Sequence, residues 1–197
     1  EEILTGRGKG LPLTPVATRA APVPRPVEDK LLATYQTIAA QLPLGRGGIV
    51  AFAGAQPGDE SAKLLVTMAR LAASKLQKRV LVLSSSPSPA FNALGASGTG
   101  WEQAVRGGGG VDSLISAAGE NLFVGQLASS PTSLAAVLAA TELRTVFAGL
   151  TEQFDLILVD APSFGASSDA ILLGKLVDGF VLVVEAGKTR HQAVRQY

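Results

Sequence analysis

The fold of this chain is decided by residues 48–63, Gly48-Ile-Val-Ala-Phe-Ala-Gly-Ala-Gln-Pro-Gly-Asp-Glu-Ser-Ala-Lys63. The apolar run over 49–53 predicts a short buried strand, and the apolar positions after Ser61 recur at helical spacing, which predicts a helix over 61–76. Glycine and proline between these segments predict a tight turn. The stretch therefore predicts a strand, a glycine-containing turn and a helix in direct succession.

That succession is the layout of a nucleotide-binding phosphate loop, whose signature is G-x-x-x-x-G-K-[ST]. Counting without gaps from Gly54 assigns the last three signature positions to residues 59–61, Asp-Glu-Ser. Counting from Pro57 instead assigns them to residues 60–62, Glu-Ser-Ala. Neither register supplies the lysine that neutralises the phosphates of a bound nucleotide.

The charges of this loop oppose a bound triphosphate. A Glu60 carboxylate about 5 Å from a phosphate charge costs on the order of 3 kcal/mol at an effective dielectric constant near 20. Lys63 does not simply replace the missing cation, because two further residues of helix turn a side chain by about 200°. Asp59 and Glu60 also offer the helix N-terminus an anion from within the chain. We therefore expect the affinity for a nucleoside triphosphate to fall by several powers of ten.

Residues 1–26 are predicted to be a flexible, Pro-rich linker, and residues 27–197 are predicted to form one α/β domain. The predicted strands lie at 49–53, 80–83, 122–125, 154–160 and 179–184. The predicted helices lie at 27–41, 61–76, 101–105, 134–140, 141–153, 169–176 and from Arg190 onward, and most of 87–110 is predicted to be loop. Continuous apolar strands separated by helices predict a mostly parallel central sheet with helices on both faces.

Asp160 ends the apolar strand that begins near Phe154. An acid at this place is the Walker B position, which normally holds the Mg²⁺ shell, although an acid at a strand end can also simply meet water or cap a turn. Beside the altered loop, we interpret Asp160 as a vestigial Walker B acid. The run Ser84-Ser-Ser-Pro-Ser88 is predicted to be a solvated turn, and Trp101 is predicted to pack in the core or under a loop.

Composition excludes several function classes. A formal net charge of +1 provides no global field that attracts nucleic acid, and the absence of cysteine excludes disulfides and thiolate metal sites. The longest apolar runs are short strands, so no membrane span is predicted. Because the first residue is glutamate rather than methionine, we expect a fragment, and a membrane-spanning portion could lie outside it.

Three stretches carry a family resemblance. Phe154-Asp-Leu-Ile-Leu-Val-Asp-Ala-Pro-Ser-Phe164 resembles "YDxVIIDTPP" of the bacterial tyrosine kinases (BY-kinases, CpsD/CapB-like) of polysaccharide export, which are relatives of the MinD/ParA ATPases. Residues 168–189 resemble their "TDAxxLxxLxDGVLLVVRAGKT", and Ser130-Pro-Thr-Ser-Leu134 resembles "NPxELL". The resemblance covers the chain from about Glu28 to its end. It implies a P-loop NTPase-like three-layer sandwich and favours the register anchored on Pro57.

The chain departs from this family at the residues that hold the nucleotide. The family's phosphate loop reads roughly "PGEGKST"; after Pro57, Gly58 and Asp59, this chain has Glu60 for the second glycine, Ser61 for the lysine and Ala62 for the Ser/Thr. The family's second nucleotide motif, Walker A′, reads "VLLIDxDxR", and here Ser84 and Ser86 stand for its two aspartates. Several independent losses within one functional set predict a pseudokinase.

Two further family features are missing. The N-terminal helix of the family carries E-x-x-R-x-x-R, which drives ring assembly, and the corresponding positions here are Ala33, Gln36 and Ala39. The tyrosine cluster that such kinases phosphorylate is not found in residues 1–197, although Tyr197 is the last of them and a tail could lie beyond it. We therefore expect no ring-type oligomer.

The resemblance implies a regulatory or scaffold protein of bacterial exopolysaccharide synthesis or export. Its expected partner is a membrane polysaccharide polymerisation or export complex, and its expected location is cytoplasmic, at the inner face of the membrane through a partner or a missing segment. No cofactor, no metal and no nucleic acid is expected. The rival hypothesis is an active ATP-dependent tyrosine autokinase or ATPase that uses Lys63, Asp160 and Mg²⁺. A MinD/ParA-like positioning factor is a third possibility, but that class also needs the missing lysine.

Overall fold

The computed structural model describes residues 24–57, 60–85, 87–96, 99–106, 110–164 and 168–189. The described strands are β1 Gly48–Gly54, β2 Val80–Ser84, β3 Ser116–Gly119, β4 Leu122–Gln126, β5 Leu156–Asp160 and β6 Gly179–Val183. The described α-helices are α1 Arg25–Ala39, α2 Ser61–Lys75, α3 Pro89–Asn92, α4 Glu102–Arg106, α5 Pro131–Leu138, α6 Glu142–Gln153 and α7 Asp169–Leu173. A 3₁₀ turn spans Asp112–Leu114. The helix predicted from Arg190 and nearly all of the predicted linker lie outside the described residues.

The six strands form one sheet in the order β3-β4-β2-β5-β1-β6. All neighbouring pairs are parallel except β3 and β4, which are antiparallel. The prediction of a mostly parallel central sheet flanked by helices is confirmed. Strand β1, which begins the decisive stretch, lies between β5 and β6 and is buried along its whole length.

Alternating residues of the central strands face two separate cores, which gives three layers. Ile49, Ala51 and Ala53 of β1 face a core that contains α5, α6 and α7 residues. Val50 and Phe52 face the opposite core, which contains residues of α1, α2 and α3. Because both faces of each central strand are covered, the strands are nearly continuously apolar, as parallel sheets require.

Element boundaries differ from the predictions by a few residues, mainly at helix ends. Helix α1 begins at Arg25, two residues before the predicted start, with proline in its first turn, where the missing N–H costs no intrahelical bond. Helix α5 begins at Pro131 rather than near Leu134, and α7 ends at Leu173 rather than Leu176. Strand β3 and the short helix α3 were not predicted.

Among the described residues, no single helix has the length and apolar character needed to cross a membrane. Helices α5 and α6 pass that test only as a pair, and they are bent by 87° relative to each other. Their apolar residues Leu134, Val137, Phe147 and Leu150 are buried against the sheet, so core packing accounts for their apolar character.

Candidate functional site

The candidate site lies where β1, β2 and β5 end, at the carboxyl edge of the parallel strands. Ligands of open α/β sheets bind at this edge. Ser84 of β2 pairs in register with Asp160 of β5, and Asp160 is also in register with Phe52 of β1. The chain that leaves β1 turns at residues 55–57, and α2 begins at Ser61. The topology therefore brings the altered loop, the Walker B acid and Ser84 to one place.

Ser61 is the first residue of α2 and is 9% exposed. Its hydroxyl donates a hydrogen bond to Oδ1 of Asp160 over 3.4 Å, a long contact. This hydroxyl is the one side-chain donor described for the Asp160 carboxyl group. Neither register of the phosphate-loop signature supplies a lysine here, so no cation from the loop compensates the carboxylate.

Burial raises the pKa of Asp160 to about 7, although the hydrogen bond from Ser61 opposes the shift. A carboxylate that loses water without gaining a cation or several N–H donors favours its protonated form. In the protein without a bound metal ion, Asp160 therefore releases its proton at a higher pH than an exposed aspartate does.

Lys63, the rival candidate for the missing cation, is directed along the surface. Its ammonium group pairs with the carboxylate of Glu60, the residue just before α2, and the two side chains are 71% and 56% exposed. The hydrogen bond and the charge of Lys63 lower the pKa of Glu60. Because the described structure holds this lysine on Glu60, it does not place the ammonium group beside Asp160.

The serines after β2 are buried, so the predicted solvated turn is wrong at its start. Ser84 is fully buried and Ser85 is 3% exposed. Ser84 ends a strand enclosed between β4 and β5, and the Ser85 amide donates to the Asp160 carbonyl oxygen over 3.1 Å. A serine tolerates this burial because its small hydroxyl can reach nearby backbone groups. Ser86, like Gly58 and Asp59, lies outside the described residues.

The remaining loop residues take ordinary positions. Pro57 is exposed in the turn, and Ala62 is half-buried against the core on the α2 side of the sheet. Among the described residues, no group of three or more His, Cys, Asp or Glu is arranged to hold a metal ion. Within the described part of the loop, the Asp160 carboxyl group contacts the neutral hydroxyl of Ser61.

A turn after β6 supports the loop, and sequence reasoning did not identify it. The Ala55 amide donates to the Val183 carbonyl oxygen over 3.0 Å, and Gln56 Nε2 donates to the Lys188 carbonyl oxygen over 3.1 Å. The same turn closes on itself, because the Glu185 amide donates to Thr189 Oγ1 over 2.8 Å. The turn that follows β1 is thus held by the carbonyl oxygens of Val183 and Lys188.

A second network on the same edge joins α4 to α5. Oε1 of Glu102 accepts hydrogen bonds from the Ser129 amide, the Ser129 hydroxyl and the Ser133 hydroxyl, over 2.6 to 2.7 Å. Burial opposes ionisation of Glu102, but the bonds from Ser133 and Ser129 outweigh it and lower its pKa to about 2. Ser130 and Ser133 form a capping box at the start of α5. Trp101, beside this network, is fully buried, which confirms its predicted packing role.

Comparisons with known proteins agree with this topology. No protein-family model matches the chain. The putative tyrosine-protein kinase CapB of Staphylococcus aureus is 28% identical over 85 residues, which are 43% of this chain and 37% of that protein. The match thus spans a little over a third of its curated relative.

Solved structures match over more of the chain. The kinase domain of Escherichia coli tyrosine kinase ETK superposes with a TM-score of 0.76 at 20% identity, over 86% of this chain and 68% of that one. The septum site-determining protein MinD of Pyrococcus horikoshii, complexed with Mg-ADP, superposes with a TM-score of 0.55 at 18% identity, over 70% of this chain and 58% of that one. The predicted resemblance is confirmed: the chain has the fold of the bacterial tyrosine-kinase domains and of the MinD-type P-loop ATPases, and part of its sequence is similar to a putative member of the kinases.

Proposed function

We propose that this chain is a catalytically inactive BY-kinase-like domain that acts as a regulatory or scaffold protein in bacterial exopolysaccharide synthesis or export. The observation that carries the proposal is the contact between Ser61 and Asp160 at 3.4 Å. In the register anchored on Pro57, a neutral hydroxyl stands in the place of the phosphate-binding lysine. The fold retains the form of a nucleotide site without the charges that bind a nucleotide.

Two features of the loop support this proposal, and both act in one direction. The triphosphate loses the attraction of the lysine and meets the Glu60 carboxylate just before α2. The missing lysine is the larger of the two, because the Glu60 carboxylate is exposed and paired with Lys63, which weakens its repulsion.

The rival hypothesis of an active ATPase or tyrosine autokinase makes Lys63 the essential cation. That role would require the Lys63 side chain to leave Glu60 and turn toward Asp160. The surface ion pair itself would resist this only weakly, since exposed pairs contribute about 0–1 kcal/mol. The helical direction of residue 63 is the larger obstacle. The variant Lys63→Met separates the two hypotheses. The rival predicts that the variant loses ATPase or kinase activity, whereas our proposal predicts no such activity in the wild-type protein or in the variant.

A binding experiment tests the inactive site with a matched positive control. We expect Mg-ADP to leave the thermal unfolding midpoint of the wild-type protein unchanged. The triple variant Glu60→Gly, Ser61→Lys, Ala62→Ser rebuilds the family's phosphate loop, and we expect Mg-ADP to raise its midpoint by several degrees. A dose-dependent rise for the wild-type protein that Lys63→Met removes would establish the rival.

A genetic experiment tests the scaffold role. In the native host, we expect deletion of the gene to reduce exopolysaccharide output, and the variants Lys63→Met and Asp160→Asn at the native locus to leave that output unchanged. Loss of output in both variants, at normal protein abundance, would show that the nucleotide site is used. The partner that we propose is a membrane polysaccharide polymerisation or export complex, contacted at the inner face of the membrane.

A further inference from the structure

A groove lies at the opposite, amino edge of the sheet, away from the altered phosphate loop. One wall is a single face of α6, on which Arg144, Phe147, Ala148 and Thr151 follow one another at spacings of three, one and three residues. The other wall is the turn between α7 and β6, which includes Lys175 and Leu176, and Ile49 at the start of β1 forms the floor. The enclosed volume is about 200 Å³.

Three cations line this groove: Arg46, Arg144 and Lys175. Arg46 is fixed, because its guanidinium pairs with Asp178 and also donates to the Gly47 carbonyl oxygen over 3.0 Å. Arg144 and Lys175 are exposed, and neither has an acidic partner within the described part of the chain. The groove therefore carries two uncompensated positive charges on a protein whose formal net charge is only +1.

Asp178 does not neutralise the remaining cations. One of its carboxylate oxygens pairs with Arg46, and the other accepts the Ile49 amide over 2.9 Å. Both oxygens are thus committed to holding the start of β1. On α6 itself, the nearest acid in sequence is Glu142, which accepts a bond from Thr141. The positive charge of the groove stays available to a ligand from solution.

We propose that this groove binds a single phosphoryl group, as a phosphate mono- or diester. Two exposed cations, Arg144 and Lys175, line the same groove, and a planar guanidinium together with an ammonium group suits the charge of phosphate oxygens. The volume of about 200 Å³ falls short of the roughly 300 Å³ of the smallest typical small-molecule pockets, which suits one phosphoryl group. The apolar floor of Ile49, Phe147 and Leu176 limits competition from water.

The proposal does not rest on the function proposed above, since it concerns the other edge of the sheet. A phosphoryl group reaches such a groove either on a soluble metabolite or on the headgroup of an anionic lipid. Both sources share the chemistry, and the experiment distinguishes them by using inorganic phosphate in one arm and phosphatidylglycerol vesicles in the other.

The test compares the groove variant Arg144→Gln, Lys175→Gln with the control variant Lys30→Gln, Arg106→Gln. Both lower the net charge by two at exposed side chains, but Lys30 lies on α1 and Arg106 on α4, away from the groove. In the first arm, amide NMR shifts are followed during titration with inorganic phosphate at low salt. In the second, sedimentation measures binding to phosphatidylglycerol vesicles, with phosphatidylcholine vesicles as the reference.

We expect saturable binding in at least one arm, localised by NMR or by mutation to residues 144–151 and 175–178. We expect the groove variant to weaken it at least tenfold and the control variant to change it less than twofold. Binding of phosphate assigns a soluble ligand, and binding of vesicles alone assigns a lipid headgroup. Absence of binding in both arms, equal effects of the two variants, or shifts confined to residues 54–63 would each overturn the proposal.

Discussion

At the scale of the residue, the site is defined by a buried carboxyl group that lacks its usual partners. Asp160 keeps the position of a Walker B acid at the end of β5, yet its one described side-chain donor is the Ser61 hydroxyl. Ionising such a group costs free energy, because burial removes water and, among the described residues, the Ser61 hydroxyl replaces it rather than a cation. This cost is a property of the fold alone, so it can be measured without any ligand.

Replacement of Asp160 by asparagine should stabilise the protein at high pH only. The pKa of Asp160 is about 7 in the folded protein, whereas the ordinary value for an aspartate is 3.8. Between these two pH values, the folded protein holds a proton that the unfolded chain has released. Stability contributed by that proton is present below about pH 4 and is lost as pH rises through 7. We expect Asp160→Asn to raise the free energy of unfolding by on the order of 2–4 kcal/mol near pH 8, and to change it little near pH 4.

Urea unfolding at several pH values measures this difference, and Asp169→Asn, at the first position of α7, serves as the control. A pH-independent effect of Asp160→Asn, or a destabilisation near pH 8, would show that the acid is ionised and compensated in the folded protein.

Glu102 is the opposite case, a carboxylate that the fold keeps ionised. Its Oε1 accepts three hydrogen bonds from Ser129 and Ser133 at the start of α5. We expect Glu102→Ala to lower the free energy of unfolding by about 1–2 kcal/mol near pH 7, because it leaves the donors of Ser129 and Ser133 without their acceptor. Equilibrium denaturation measures the loss, and Glu142→Ala, in the first turn of α6, should change stability by less than half as much.

At the scale of the element, the end of α6 packs closely against the backbone that leads into β1. A side chain at Gly47 would place its Cβ 1.9 Å from the Phe154 carbonyl oxygen and 3.0 Å from that of Thr151. Both oxygens belong to backbone at the end of α6, which cannot give way cheaply. The Gly47 amide also donates to the Thr151 carbonyl oxygen over 2.9 Å. This contact positions the strand that leads into the phosphate loop.

Two glycine-to-alanine substitutions should therefore have opposite effects. Gly47→Ala should lower the free energy of unfolding by more than about 2 kcal/mol, as overpacking against rigid backbone does. Gly149→Ala, within α6, meets nothing within 4 Å and should raise it by about 0.5–1 kcal/mol through helix propensity. Thermal and chemical unfolding of both variants provide the comparison, and similar effects at the two positions would contradict the packing described here.

Elements with a strong apolar pattern were predictable from the sequence, and elements without one were not. Strands β1, β2 and β5 are continuous apolar runs because both of their faces are covered. Strand β3, Ser116-Ala-Ala-Gly119, is a half-buried edge strand of small residues, which carries no periodic signal. The position of Asp160 at a strand end was predictable for the same reason as the strand, whereas its contact with Ser61 depends on how the loop and α2 fold back.

The burial of Ser84 and Ser85 was not predictable from residue type, because serine is common in exposed turns. Their depth follows from β2 lying between β4 and β5, a strand order that emerges only from the assembled sheet. Only the serine part of the Glu102 network was visible in the sequence, as the Ser130-x-x-Ser133 spacing at the start of α5. The glutamate itself comes from another helix, so local sequence could not reveal it.

At the scale of the whole molecule, helix α1 presents a neutral surface where the family resemblance implies assembly charges. Ala33 and Gln36 are exposed and Ala39 is half-buried. Glu28, the acid in the first turn of α1, is engaged within the chain by Lys75 of α2 over 3.0 Å. At these three positions α1 therefore lacks the acid and the bases that the resemblance would place there to pair neighbouring copies.

We expect the protein to remain outside the ring-type assembly of the kinases that it resembles. Light scattering after size exclusion, at protein concentrations spanning two orders of magnitude, should give a mass far below that of a ring of eight. The substitutions Ala33→Glu, Gln36→Arg and Ala39→Arg together restore the family's charges and provide a matched comparison. An octamer of the wild-type protein at every concentration would contradict the expectation.

The central claim is that a nucleotide-hydrolase fold persists here without the charges that hold a nucleotide. Isothermal titration of the wild-type protein with ATP and excess Mg²⁺ tests it most directly. The account predicts no saturable heat up to millimolar ATP. A saturable isotherm with a micromolar dissociation constant and a stoichiometry near one would contradict it.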